Sequence, residues 1–230
     1  MHPRRRTLRR ALGLVMLAAL VAGALAACGG TEKEAKPRPL PEDDKALQPG
    51  EYRSEEFEPP VSFRLGDGWT NVTPEVFDVL FLERGEKMGL AFVNPQQVYE
   101  PSRSGLPTVV EAPEDMVGWF RQHPYLRTSE PEAVTVGGVD GVRLDMTVEN
   151  LPEGYAGPCV GGNLGDCVDV FRSSGLGWIA FPKDAKHRVV VFEDVDGQTV
   201  VVGFGIPAAR FDEEAPDAQK VIDTVEWRNS

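Results

Sequence analysis

Cysteines are the residues of this chain whose positions most directly predict chemistry. Cys28 ends the segment Leu-Ala-Ala-Cys (25–28), which follows an arginine-rich head and an uncharged apolar run. A basic head, an apolar stretch and small residues before a cysteine form the pattern at which bacteria cleave an exported precursor and attach lipid to the thiol. We therefore predict that residues 1–27 are a signal peptide and that Cys28 carries acyl chains such as palmitate.

An uncleaved membrane anchor is the alternative interpretation of the same stretch. The uncharged run of residues 11–27 is shorter than the about 20 apolar residues that a spanning helix needs. It also ends in small residues, which favours a lipoprotein signal. The protein is then expected at the cell membrane, lipid-anchored on the extracytoplasmic face. Arg5 and Arg6 match a twin-arginine signal only in part, so export by the Sec or the Tat route stays open.

The other two cysteines, Cys159 and Cys167, flank a glycine-rich segment that lets the backbone turn back on itself. Exported proteins fold in an oxidising compartment, where such a pair of thiols forms a disulfide. A metal site is the alternative, but the pair lacks Cys-x-x-Cys spacing and has no histidine near it in sequence. Asp166 and Asp169 are poor partners for soft thiolates. The sequence therefore predicts a Cys159–Cys167 disulfide.

Motifs for catalysis or cofactor binding are missing from the rest of the sequence. Beyond the signal peptide the histidines are His123, before a proline, and His187, in a basic strand, and capping or surface roles explain both. No serine-hydrolase, zinc-hydrolase or phosphate-loop signature occurs. Residues 194–198 resemble a calcium loop but lack its later acidic ligands, so a hairpin turn is favoured. We expect no enzyme activity, no cofactor and no metal.

Four tryptophans could line a ligand groove, although burial in a core explains each of them. If one of them binds a ligand, the sequence favours Trp178. It lies among glycines after the cysteine segment, and binding residues concentrate in such loops.

The acidity of the chain limits its partners. Removal of residues 1–27 takes away five arginines and no acid, which leaves 19 Lys and Arg against 36 Asp and Glu, a formal charge of −17. A surface of this charge repels nucleic acids and anionic lipid headgroups. We therefore expect no nucleic-acid partner, and contact with the membrane only through the lipid on Cys28.

Composition also predicts the domain organisation. Residues 28–50 combine charged side chains with four prolines and hold few apolar residues. Such a segment buries too little surface to offset the entropy of ordering it. We predict a lipid-anchored disordered tether over residues 28–50 and a single globular domain over residues 51–230.

Strand periodicity dominates that domain. Residues 61–65 and 142–148 alternate apolar and polar side chains. A turn is predicted at 66–68, and the Asp-Gly signal within 194–198 predicts a hairpin between two strands. A proline-rich loop is predicted over residues 95–107.

Two helices complete the prediction. Residues 114–122 follow a proline and end before His-Pro, and a second helix is expected to begin near Ala215 or Asp217. Strands joined mostly by short hairpins form antiparallel sheets. The predicted fold class is α+β, an antiparallel β-sheet packed with a mid-chain helix and a C-terminal helix.

Short phrases of the sequence resemble a known family. They are Phe-Glu-Pro-Pro-Val-Ser-Phe-Arg-Leu-Gly-Asp-Gly-Trp (57–69), Val-Gly-Gly-Val-Asp-Gly (136–141) and Asp-Thr-Val-Glu-Trp (223–227). Together with the lipid-attachment signal, they are similar to actinobacterial lipoproteins of the LpqN type. The resemblance implies a PsbP-like sandwich of an antiparallel sheet between helices. It also implies a non-catalytic accessory or interaction role, and it supplies no catalytic residues.

Two functions therefore stay open. The first is a non-catalytic interaction or accessory module of the cell envelope that contacts another envelope protein. The alternative is a carrier or sensor that holds a small or lipidic ligand between sheet and helix. An exposed apolar patch would favour the interaction module, and an enclosed apolar cavity would favour the carrier.

Overall fold

The computed structural model of the protein describes residues 36–41, 45–72, 76–85, 88–102, 107–153, 155 and 166–228. The predicted signal peptide, Cys28 and Cys159 lie outside these residues. Within them, two α-helices and a short 3-10 helix (Ala208–Arg210) accompany seventeen strands. The helices are α1 (Met116–Gln122) and α2 (Phe211–Ile222). The strands are β1 (Arg38–Pro39), β2 (Lys45–Ala46), β3 (Gly50–Arg53), β4 (Val61–Leu65), β5 (Trp69–Asn71), β6 (Val79–Arg84), β7 (Met88–Val93), β8 (Gln97–Glu100), β9 (Thr108–Glu111), β10 (Leu126–Thr128), β11 (Glu132–Val136), β12 (Val139–Val148), β13 (Cys167–Arg172), β14 (Ile179–Pro182), β15 (Ala185–Val195), β16 (Gln198–Pro207) and β17 (Glu226–Trp227).

The described strands form one large and two small sheets. The central sheet has nine antiparallel strands in the order β10-β12-β15-β16-β7-β6-β5-β2, with β11 also paired to β12. The small sheets have the orders β1-β3-β4-β17 and β14-β13-β8-β9. β1 and β3 are parallel, and the other described pairs are antiparallel.

Both faces of the central sheet are covered, because its strands carry apolar side chains on both sides. In β15, Val190 and Phe192 join one buried cluster, whereas Val189 and Val191 join the other. Successive side chains of a strand point to opposite faces, so each cluster lies on its own side of the sheet. The first core lies against α2 and the β1-β3-β4-β17 sheet. The second core lies against α1 and the β14-β13-β8-β9 sheet.

This arrangement confirms the predicted α+β class, with an antiparallel sheet, a mid-chain helix and a C-terminal helix. The predicted hairpin at 194–198 is also confirmed. Asp196 and Gly197, between β15 and β16, have φ angles of 55° and 80°. Gly137 and Gly138, between β11 and β12, have φ angles of 58° and 80°. Positive φ at both central residues is what two-residue hairpin turns require.

Two element boundaries differ from the prediction. α2 begins at Phe211, earlier than Ala215, and three acidic residues occupy its first turn, where the helix dipole favours negative charge. The predicted loop at 95–107 contains β8. This strand of four residues is specified by its pairing with β9 and β13, which no local pattern in the sequence reveals.

Residues 36–41 and 45–50 are part of the folded unit, in contrast to the predicted tether over residues 28–50. β1 pairs with β3, and β2 pairs with β5. Leu47 is only 4% exposed in the first core. Arg53 donates from Nη1 to the Pro37 carbonyl at 2.5 Å, and Asn71 donates from Nδ2 to the Pro41 carbonyl at 2.7 Å. Of the predicted tether, residues 28–35 and 42–44 lie outside the described part of the chain.

Candidate functional site

Helix α1 positions the side chains of the candidate site. Asp115 caps its start, where the carboxylate Oδ1 accepts from the Gly118 amide at 2.6 Å. His123 ends the helix and donates its backbone N–H to the Phe120 carbonyl at 3.3 Å. The capping role predicted for His123 is thus confirmed. Trp119 lies one turn before His123, so both side chains share one face of the helix.

A surface groove lies between this face and the β8–β9 hairpin. It has a volume of about 330 Å³. Trp119 and His123 line it from the helix, and Val98 and Val110 line it from the two strands. We call it the α1 groove. Glu100 and Glu111 also line it.

The strand at the rim of the α1 groove is exposed along its whole length. All four residues of β9 are exposed, including Val109 (38%) and Val110 (37%). Among the described strands, β9 pairs only with β8. Neighbouring exposed valines on a sheet edge are a surface that another chain can recognise.

His123 is neutral in this environment. Its side chain is 4% exposed, and its Nδ1 accepts from the Tyr125 amide at 3.2 Å. Burial lowers the pKa of His123 to about 4. Its Nε2 is buried and has no hydrogen-bond partner among the described residues.

A row of aromatic rings continues from the α1 groove into the second core. The ring centroids of Trp119 and His123 are 5.2 Å apart, those of His123 and Tyr125 are 5.8 Å apart, and those of Tyr125 and Tyr155 are 5.5 Å apart. The Tyr125 hydroxyl donates to the Ser102 carbonyl at 2.8 Å. Contacts of this kind hold the groove wall in a single arrangement.

Asp169 is a buried carboxyl group that sequence reasoning assigned no role beyond poor metal ligation. It lies in β13, is 1% exposed, and neither of its carboxyl oxygens has a hydrogen-bond partner within the described part of the chain. Burial raises the pKa of Asp169 to about 7. Burial, with the nearby charge of Asp169, also raises the pKa of Tyr155 to about 12. An aspartate within an apolar strand was the available signal in the sequence.

Trp178 and Cys167 do not line the α1 groove. Trp178 is half-buried just before β14, and its buried Nε1 has no described hydrogen-bond partner. Cys167 begins β13 and is fully buried. Because Cys159 lies outside the described residues, the Cys159–Cys167 disulfide stays a prediction.

The surface role predicted for His187 is wrong. His187 is buried in β15, stacked on Phe181 with ring centroids 4.2 Å apart. Burial lowers its pKa to about 4. Its cross-strand partner is Gly205, where a Cβ atom would lie 2.7 Å from the imidazole Nδ1. The absence of a side chain at Gly205 therefore makes room for the imidazole ring, an arrangement that becomes visible only once the strands are in register.

A second groove, of about 230 Å³, lies near β4 and β17. Some of the charged and polar groups that line it are already paired. Arg64 forms an ion pair with Glu51, and the Arg64 amide donates to Thr224 Oγ1 at 2.9 Å.

The described residues hold no cluster of three or more histidine, cysteine, aspartate or glutamate side chains arranged for a metal ion. Within them, no helix has the length and apolar character to cross a bilayer.

Comparison with known proteins yields similar folds only. No protein-family model matches the chain, and no curated protein matches its sequence. PsbP (CyanoP) from Synechocystis sp. PCC 6803 is 12% identical with a TM-score of 0.41, and the match covers 82% of this chain and 99% of that chain. LpqN of Mycobacterium tuberculosis, described as involved in cell envelope biogenesis, is 10% identical with a TM-score of 0.38 over 80% of this chain and 93% of that chain. These values assign the chain to no family and carry no argument about its function.

Proposed function

We propose that this protein is a non-catalytic lipoprotein, anchored through Cys28 on the extracytoplasmic face of the cell membrane, that acts as an interaction module of the cell envelope. The lipid-attachment signal at residues 25–28 supports the location. The observation that carries the interaction role is the α1 groove, which lies beside a fully exposed edge strand. Exposed sheet edges and apolar grooves are surfaces on which proteins recognise one another.

The alternative function, a carrier or sensor, would place a ligand between the central sheet and a helix. Those positions are occupied by side chains. Met116 and Phe120 of α1 are fully buried in the second core, and Ala218 and Ile222 of α2 are fully buried in the first. Ligand cavities enclose most of the ligand, whereas the α1 groove, although its volume is about 330 Å³, is open at the surface. The filled helix–sheet contacts therefore favour the interaction module.

Mass spectrometry of the protein purified from the membranes of its own host tests this function. Under denaturing conditions we expect the mass of residues 28–230 with added acyl groups. Under native conditions we expect a second protein to remain bound. The matched control is Cys28→Ala, which removes the thiol that accepts the lipid and is expected to lack the acyl mass.

Two results would count against the proposal. A full-length mass without lipid would exclude the anchored lipoprotein. A small molecule that stays bound only under native conditions, with no protein partner, would favour the carrier.

A further inference from the structure

The outer edge of β9 offers backbone hydrogen-bonding groups to solvent. In an antiparallel pair, alternate residues direct their N–H and C=O groups away from the partner strand. β9 has β8 on one side and no described strand on the other. Proteins usually protect such an edge with charged side chains, especially lysine, with proline or with a bulge. The sequence of β9, Thr-Val-Val-Glu, has one charged residue, Glu111 at its end, and no lysine or proline.

The two valines of β9 point to opposite faces of its sheet. Val110 lies directly across from Val98, and both line the α1 groove. Val109 lies across from Tyr99, on the other face. A strand added beside β9 would therefore place every second side chain at the α1 groove, next to Val110 and Trp119.

The charge of the α1 groove determines which segments could bind as a strand beside β9. Glu100 and Glu111 line it, and neither forms an ion pair within the described part of the chain. In the other groove, by contrast, Glu51 is paired with Arg64. Unpaired carboxylates beside exposed valines complement a ligand that carries both basic and apolar side chains.

We propose that β9 and the α1 groove bind an extended segment of another envelope protein, with basic and apolar residues in alternation, as a fifth strand of the β14-β13-β8-β9 sheet. The backbone edge supplies hydrogen bonds, and the valines and glutamates supply selectivity. This inference rests on the proposed interaction function and identifies its surface and the chemistry of its partner.

A phage-displayed library of random linear octapeptides tests the proposal. It is panned against the mature lipoprotein in nanodiscs, after depletion on empty nanodiscs. We expect the selected peptides to alternate basic and apolar residues. We expect a synthetic copy to bind at least about tenfold more weakly to Val110→Lys and to Glu100→Lys, because both residues lie on the groove face and both changes set a positive charge against a basic ligand.

The matched control is Phe77→Lys, since Phe77 is an exposed apolar residue (47%) that does not line the α1 groove. This variant is expected to bind the peptide like the unmodified protein. N-methylation of alternate peptide amides tests strand addition, because only the amides that face β9 donate to it. Methylation of one alternating set should abolish binding, and methylation of the other set should leave it unchanged.

The proposal is overturned if no peptide binds above the empty-nanodisc background, or if the selected peptides bind Val110→Lys and the unmodified protein equally well. If a natural partner co-purifies equally with Val110→Lys and with the unmodified protein, the interaction function stands, but the α1 groove and β9 are not its binding surface. If the mass measurement instead detects neither lipid nor a bound protein, the proposed function itself is excluded.

Discussion

The surroundings of Asp169 disfavour the ionised form of its carboxyl group. Both of its carboxyl oxygens are buried and have no hydrogen-bond partner in the described residues. Burial raises the pKa of Asp169 to about 7. The folded protein therefore holds this proton up to about pH 7, whereas an unfolded chain loses it near pH 4. The free energy of unfolding consequently falls through this group as the pH rises from about 4 to about 7.

Replacement of Asp169 by asparagine should remove this pH dependence. The amide does not ionise, so at pH 8 we expect Asp169→Asn to be more stable than the unmodified protein by up to about 4 kcal/mol, the equivalent of a shift of about three pKa units. At pH 4 the difference should be small, because Asp169 is then protonated in the folded chain. Urea denaturation at the two pH values measures both differences.

Asp145 provides a control, because its replacement by asparagine is expected to change the free energy of unfolding at pH 8 in the opposite direction. Burial alone would raise its pKa, but hydrogen bonds and charge from Arg188 and Lys186 outweigh burial and lower it. Arg188 donates to Asp145 from Nε at 2.7 Å and from Nη2 at 3.0 Å. Asp145→Asn should therefore destabilise the protein at pH 8. Equal effects of the two substitutions would show that the environment assigned to Asp169 is wrong.

The predicted disulfide is best tested by substituting Cys159, without altering the buried Cys167. Cys159→Ser leaves the buried residue unchanged and removes the bond. We expect it to lower the free energy of unfolding by roughly 2–3 kcal/mol, as loop-closure entropy predicts for so short a loop. A reducing agent should lower the stability of the unmodified protein by a similar amount and should not affect Cys159→Ser. If reductant leaves the melting temperature of the unmodified protein unchanged, there is no such disulfide.

At the scale of elements, β1 and β2 show that very short strands can be stabilised by pairing with longer ones. β1 and β2 contain two residues each, far too few to be stable alone. They are held by pairing with β3 and β5 and by Arg38, whose guanidinium lies 4.6 Å from the ring centroid of Tyr52. A segment with the composition of a linker is thus part of the described sheets.

Truncation of Leu47 should reveal whether this segment stabilises the domain. Leu47 is buried in the first core, so we expect Leu47→Ala to cost about 2–3 kcal/mol. Lys45→Ala, at an exposed position in β2, is the matched control and should change stability by less than about 0.5 kcal/mol. Chemical denaturation of the two variants is the measurement. Equal, negligible effects would show that the segment contributes nothing to stability.

At the scale of the whole molecule, charge and lipid have opposite effects at a membrane. The formal charge of −17 on residues 28–230 follows from 19 basic and 36 acidic side chains. This charge repels anionic headgroups, whereas acyl chains on Cys28 would insert into the bilayer.

Membrane attachment should therefore depend on the lipid alone. Residues 28–230 without lipid should not sediment with phosphatidylglycerol vesicles, even at low salt, because repulsion is strongest there. The same protein coupled at Cys28 to two acyl chains should sediment with them. Binding of the unlipidated protein at low salt would instead reveal a membrane-binding surface on the domain.

Local rules were sufficient for the elements whose signals lie close together in the sequence. The hairpin at Asp196-Gly197, the strand Val61–Leu65 and the helix that ends before Pro124 each follow from turn chemistry, alternation or capping within a few residues. The α+β class follows from their order. The α1 groove was not predicted, because β8 and β9 are short and owe their places to pairing across the sheet.

The sequence by itself determined the net charge, the hairpin turns and the apolar alternation, since each depends only on residue type and spacing. Only the tertiary structure decided which residues share an environment. It buried His187 opposite Gly205, left Asp169 without a described partner, and placed Trp119 beside Val110. These outcomes depend on strand register and on contacts between residues distant in the chain, which local patterns do not encode.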